Sequence, residues 1–173
     1  RATSAILAYF QIESDGLTRG MSRVLRDLTQ NELIWRPAFG CNSIGLILFH
    51  SARSEDMFVQ ARLQGKPQVW ETEQWYKKLN MAESETGGHY TAEQVNAFPV
   101  PEAKDILAYY DAVRACTFEY LQNLTPEAFE NKISMPPFGE LTVALIFAIL
   151  VTHTAQHMGE ISYLRGLQRG MDK

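Results

Sequence analysis

From Gly139 to Leu167, apolar residues return every three or four positions, at Ile146, Leu150, Ile161 and Leu164. His153 and His157 fill the two steps left open in that series. This is the spacing of one face of an α-helix, on which residues i and i+4 lie one above the other. The chain must therefore fold around a long helix whose inward seam carries two imidazoles. Each ring brings two polar nitrogens, and burying them without partners is costly.

Three further stretches carry the same period. The first runs from Ala2 to Leu28, with Tyr9, Phe10, Leu17, Met21, Val24, Leu25 and Leu28 apolar. The second follows "RPAFGCNS": Pro37 and Gly40 make a turn, Asn42 or Ser43 can cap the first free amides, and the helix continues to Gln64 before Gly65. The third runs from Glu102 to Asn123 after the "FPVP" break. The fourth, the one with the two histidines, opens near Gly139 or Glu140 and ends near Leu167, with Gly166 and Gly170 as stop signals. "LTPEAFE" (124–130) reads as one helical turn with Thr125 as its cap and Pro126 first. Alternation with a period of two is scarce and β-branched residues are not clustered, so the expected class is all-α, a four-helix bundle forming a single domain over residues 1–173. The stretch from Gly65 to Pro101 is long for a connection, and it holds "TGGHY" and one short helix opened by Thr91 with Gln94 as its capping-box partner. A connection of that length lets the third helix start at either end of the second.

Composition narrows the partners. Hydrophobic residues make up 46% and charged residues 21%, and the net charge is −4 with no run of lysines and arginines, which argues against nucleic acid. The longest apolar run, Val143 to Val151, covers about half of the ~20 residues that cross a bilayer, so no membrane span is expected. The opening residues contain no uninterrupted apolar h-region, and a cytoplasmic protein is the expectation. Cys41 and Cys116 have neither disulfide-framework nor zinc-motif spacing and read as structural.

His50 repeats the puzzle on the second helix, where its helical neighbours Leu46, Ile47 and Met57 are apolar. Three histidines on the inner faces of two helices can form a facial set of three nitrogens. Neutral imidazole suits Zn, Ni, Fe or Cu, and three protein ligands leave positions open for water or substrate. The competing reading is ordinary: core histidines hydrogen-bonded to carbonyls or hydroxyls.

The segments "NSIGLILFHSARSED" (42–56), "ILAYYDAVRACTFEYLQNLTPE" (106–127) and "HTAQHMGEISYLRG" (153–166) resemble the DinB-like family of helical bundles, which includes thiol-dependent S-transferases. The likeness extends from about Leu7 to Leu167. It implies an up-down-down-up bundle with the long crossover between helices two and three. It also implies a metal-binding histidine triad at His50, His153 and His157, holding a divalent ion, nickel or zinc. The function so implied is that of a hydrolase or transferase in which the metal activates a low-molecular-weight thiol or a water against a small electrophilic substrate. The alternative is a non-enzymatic, stress-induced bundle that binds metal or a small ligand. Many members of the family are homodimers, which the resemblance extends to this chain.

Several residues near this set remain to be placed. His89 in "TGGHY" reads as a flexible, solvated loop histidine that could reach the metal as a fourth ligand or acid–base group. Glu160, one turn beyond His157, could orient an imidazole through its second nitrogen, and Gln156 raises the same question. Trp35 reads as a core or rim aromatic at one bundle end and Arg36 as a candidate for an anionic substrate group, while Trp70, Trp75 and Tyr76 either wall a pocket or anchor the crossover.

Overall fold

The computed structural model describes residues 2–170, with side chains for 5 and 7–170. The chain is mostly helical, as the periodicity requires, and four long helices carry the apolar seams. Helix α1 spans Ala2–Leu25. It stops three residues short of the expected Leu28, because Asp27 adopts a left-handed φ of 58°. A short helix α2 (Gln30–Ile34) follows, opened by a Thr29–Glu32 capping box. Helix α3 (Ile44–Asp56) begins at the Ser43 cap, whose hydroxyl accepts from the Leu46 N–H at 3.2 Å, and continues as a wider π-type turn over Met57–Leu63. Helix α7 (Ala103–Gln122) lies within one residue of its expected ends.

Helix α8 (Val143–Arg169) starts later than the glycine signal suggested. Residues Glu140–Thr142 form instead the second strand (β2) of an antiparallel hairpin with Lys132–Ser134 (β1), in the register Lys132–Thr142, Ile133–Leu141 and Ser134–Glu140. Strands of three residues are too short for an alternation to register in sequence. Thr142 leaves the hairpin as the cap of α8 by accepting from the Leu145 N–H. Gly166 lies within α8, and Gly170 at φ 81° ends it. Residues 127–130 form the expected single turn, of 3-10 type.

Helix α1 packs on α8, α3 packs on both α7 and α8, and α1 also touches α7. Two apolar clusters result. One gathers Phe49, Trp70, Tyr109, Val113 and Ile161, and the other Phe10, Val59, Phe129, Phe147 and Leu150. Along α8 the first cluster begins at Ile161 and the second ends at Leu150, so His153 and His157 lie in the gap between them.

The crossover from Gly65 to Pro101 is folded onto α3 as three short helices, α4 (Val69–Thr72), α5 (Trp75–Lys78) and the expected α6 (Ala92–Ala97), opened by the Thr91–Gln94 capping box. Trp70 is fully buried and Trp75 nearly so, which assigns them as anchors. The attachment is polar at its centre. Both oxygens of Asp56 accept from the start of α4, from the Val69 N–H at 2.8 Å and the Trp70 N–H at 2.9 Å, and the Tyr109 hydroxyl donates to Asp56 at 2.6 Å. Burial beside that carboxylate pushes the Tyr109 hydroxyl's pKa up, so it stays a donor. Arg53 pairs with Asp56 at 3.5 Å, donates to the Tyr109 oxygen and to Gln68, and stacks 4.5 Å from the Trp70 ring. Its second amino group donates to the Glu85 carbonyl at 3.1 Å.

Removing one partner of a buried, hydrogen-bonded charge pair leaves the other uncompensated. Asp56→Ala is therefore expected to destabilise the fold by about 3–5 kcal/mol in urea unfolding, against about 1–2 for Tyr109→Phe. A loss below about 1 kcal/mol for Asp56→Ala would mean that the crossover holds without its cap.

Candidate metal centre

His50 comes from the middle of α3, and His153 and His157 from successive turns of α8, the helix packed against it. All three are half-buried. The Nε2 atom of His153 lies 3.2 Å from His50 Nε2 and 3.1 Å from His157 Nε2. One ligand atom from each ring falls within 4.8 Å of the others, the only such histidine, cysteine or carboxylate group among the described residues. With metal–nitrogen bonds of about 2.0–2.1 Å, nitrogens on a shared ion would be about 2.9 Å apart at octahedral angles and about 3.3 Å apart at tetrahedral ones. The two observed separations, 3.2 and 3.1 Å, fall between those values.

The outer nitrogens determine what the inner ones can offer. His50 Nδ1 lies 2.7 Å from the Gly87 carbonyl oxygen, and His157 Nδ1 lies 2.7 Å from Glu160 Oε2. A carbonyl and a carboxylate only accept, so both Nδ1 atoms carry a proton, and in the neutral rings both Nε2 atoms present a lone pair. These two lone pairs face the same His153 nitrogen. One N–H on His153 can serve at most one of them well, and the Ser54 hydroxyl, 3.4 Å from His50 Nε2, is a weak second donor. The three converging nitrogens therefore have the chemistry of a donor set for a cation.

A proton does not fill that role near neutral pH. Burial first, and then the neighbouring His157 and His50, hold the His153 pKa down at about 4. Burial also lowers that of His50. Two converging imidazoles whose charged forms are disfavoured, those of His153 and His50, fit ligation of a divalent ion.

Beside the triad is a cavity of about 260 Å³. Leu46, Ile47 and Val95 give it apolar wall, Asn42, Tyr90 and the Gly87–Gly88 backbone give polar wall, and His50 and His157 open into it. His89 lines this cavity in a left-handed conformation (φ 60°) but is not part of the three-histidine group.

Glu160 does orient an imidazole, that of His157, whereas Gln156 is exposed. Arg36 donates to the carbonyls of Ile34 and Val95, so it is tied to backbone, and Trp35 is a partly exposed rim residue. Cys41 and Cys116 are free thiols, and burial raises the pKa of Cys116, in keeping with a structural role. In the "TGGHY" segment His89 is exposed, as expected of a solvated loop histidine, but the loop is pinned at one residue. Gly87 is buried, and its carbonyl is the partner of His50. The glycine pair was the available signal, since consecutive glycines mark close backbone approach as well as flexibility.

A family model described as the DinB superfamily matches residues 15–161. The chain belongs to the DinB superfamily. No curated protein matches it. Among solved structures, the crystal structure of a conserved protein from Enterococcus faecalis is similar in fold, with a TM-score of 0.78 and 24% identity over 91% of this chain and 95% of that one. No helix among the described residues of this DinB-superfamily chain is long and apolar enough to cross a membrane.

The depressed His153 pKa has a consequence for the chelator-treated protein. The unfolded chain binds the His153 proton below about 6.5, whereas the folded chain binds it only near 4. Folding stability is therefore expected to fall as pH drops from about 6.5 to about 5, before most carboxylates titrate, and His153→Gln should flatten that slope. Equal slopes for the two proteins in urea unfolding would contradict it.

Proposed function

We propose that His50, His153 and His157 hold one divalent metal ion, nickel or zinc, and that the site is that of a metal-dependent hydrolase or thiol S-transferase acting on a small electrophile. The observation that carries this reading is the pair of imidazole lone pairs turned onto a third imidazole that stays neutral. When bound, such an ion lowers the pKa of a coordinated low-molecular-weight thiol or water toward neutrality. The chain's own residues do the rest. His50 and His157 are held in the tautomer that offers Nε2, and Leu46, Ile47 and Val95 give a small organic substrate apolar surface beside them. His89 is the titratable side chain at the cavity outside the triad able to donate and accept a proton, since the Tyr90 hydroxyl donates to Glu85.

The alternative is a non-enzymatic bundle that binds metal or a small ligand under stress. It draws support from the cavity wall, where no carboxylate, lysine or cysteine is found among the described lining residues. We further read residues 1–173 as one domain in which α1, α3, α7 and α8 form an up-down-down-up bundle, with the crossover joining α3 to α7. The pairwise packing of those helices and the length of the crossover support this. A homodimer in the cytoplasm completes the reading. Exposed Tyr9 and Ile12 on α1 and Leu145 and Ile149 on α8 are available as apolar contact surface.

The test is metal analysis of protein purified without affinity tag or chelator, followed by conjugation assays of a model electrophile with several low-molecular-weight thiols. One equivalent of a first-row metal is expected, and its absence would contradict the enzyme and the metal-binding bundle alike, leaving only a bundle that binds a small ligand. Metal without turnover favours the non-enzymatic one. His50→Ala is the discriminating variant because it removes the ligand on the other helix. It should abolish tight metal binding, and wild-type affinity in that variant would overturn the triad.

A further inference from the structure

The crossover is hydrogen-bonded to the triad at the Gly87 carbonyl oxygen, and the surrounding residues hold that atom in place. Gly87 has φ +78°, and a Cβ there would lie 2.7 Å from Arg53 Cβ and 2.8 Å from Arg53 Cγ, so only glycine fits against the helix. Oε1 of Glu85 accepts from the Gly87 N–H at 3.0 Å and from the Tyr90 hydroxyl at 2.5 Å, closing a loop around the carbonyl. Arg53 donates to the Glu85 carbonyl at 3.1 Å and ties the loop to the turn of α3 that follows His50.

We propose that Glu85 is a positioning residue of the triad: its carboxylate clasps the Gly87–Tyr90 turn so that the Gly87 carbonyl fixes His50 as its Nδ1–H tautomer, with the Nε2 lone pair directed at His153. A neutral imidazole not so held exchanges between two tautomers, and the Nε2–H form presents a proton where the cluster needs a lone pair. Glu160 performs this task for His157 directly, from a side chain that is 52% exposed. For His50 the accepting group is backbone, which no substitution can delete, so its control passes to the side chain that sets the backbone. The consequence for metal affinity rests on the metal reading above, whereas the tautomer is a property of the metal-free protein.

The experiment records long-range ¹H–¹⁵N spectra of the histidine rings in the metal-free full chain at neutral pH, for wild type, Glu85→Ala, Glu85→Gln and Tyr90→Phe, together with Zn²⁺ titrations. Wild type should show His50 as Nδ1–H. Glu85→Ala should show a mixture containing Nε2–H and bind Zn²⁺ about tenfold more weakly, the loss expected when an outer-shell partner is removed. Glu85→Gln, which keeps an acceptor oxygen, should restore the wild-type tautomer. If Glu85→Ala does not fold, Tyr90→Phe carries the test, with a detectable Nε2–H fraction expected. A His50 spectrum unchanged from wild type in the folded variant overturns the clasp, even where Zn²⁺ still binds. Conversely, a wild-type Nδ1–H tautomer that shifts in Glu85→Ala, in a protein that binds no metal, supports the clasp while the metal reading fails.

Discussion

The buried Arg53–Asp56 pair on α3 is the contact on which the rest of the arrangement depends. Asp56 starts α4 by capping its first amides, and Arg53 holds the far end of the crossover at the Glu85 carbonyl. A long connection has many ways to lie on a helix, and two opposite charges placed three residues apart specify one of them. Trp70 and Tyr109 surround the pair, so its geometry is set by packing as well as by charge. Because His50 lies three residues before Arg53, the face of α3 that fixes the crossover is also the face that meets Gly87. The fold and the site are joined at this seam.

The triad itself occupies the break between two apolar clusters. A polar layer in that position costs desolvation, and the neighbouring residues offset the cost with specific partners: a backbone carbonyl for His50 and a carboxylate for His157. Only the inner nitrogens lack an adequate neutral solution. The same burial that keeps His153 unprotonated near neutral pH leaves its nitrogen able to coordinate.

Much of this was legible in the sequence because it rests on local rules. The i, i+4 spacing put His153 and His157 on one face, the apolar stripe of the second helix singled out His50, Ser43 and Thr91 announced their helices, and family resemblance joined the three histidines in one site. Local rules also explain the misses. Gly139 and Glu140 looked like a helix start because three-residue strands leave no period, yet the hairpin takes Glu140–Thr142 and moves the cap to Thr142. The Thr29–Glu32 capping box of α2 follows the same T-x-x-E rule but opens only one turn of helix. Glu85 and Gly87 were beyond reach for a different reason. Their role depends on tertiary contact with Arg53 and His50, more than thirty residues earlier, and "TGGHY" alone reads equally well as a mobile loop.

The central claim is a metal held by three imidazole nitrogens from two helices, with further positions open to the cavity. X-ray absorption at the metal edge of protein purified without affinity tag or chelator measures this directly. The account predicts three imidazole scatterers at about 2.0–2.1 Å, with the remaining ligands being light atoms exchangeable with solvent. A spectrum with protein sulfur in the first shell, or with fewer than three imidazoles, would contradict it.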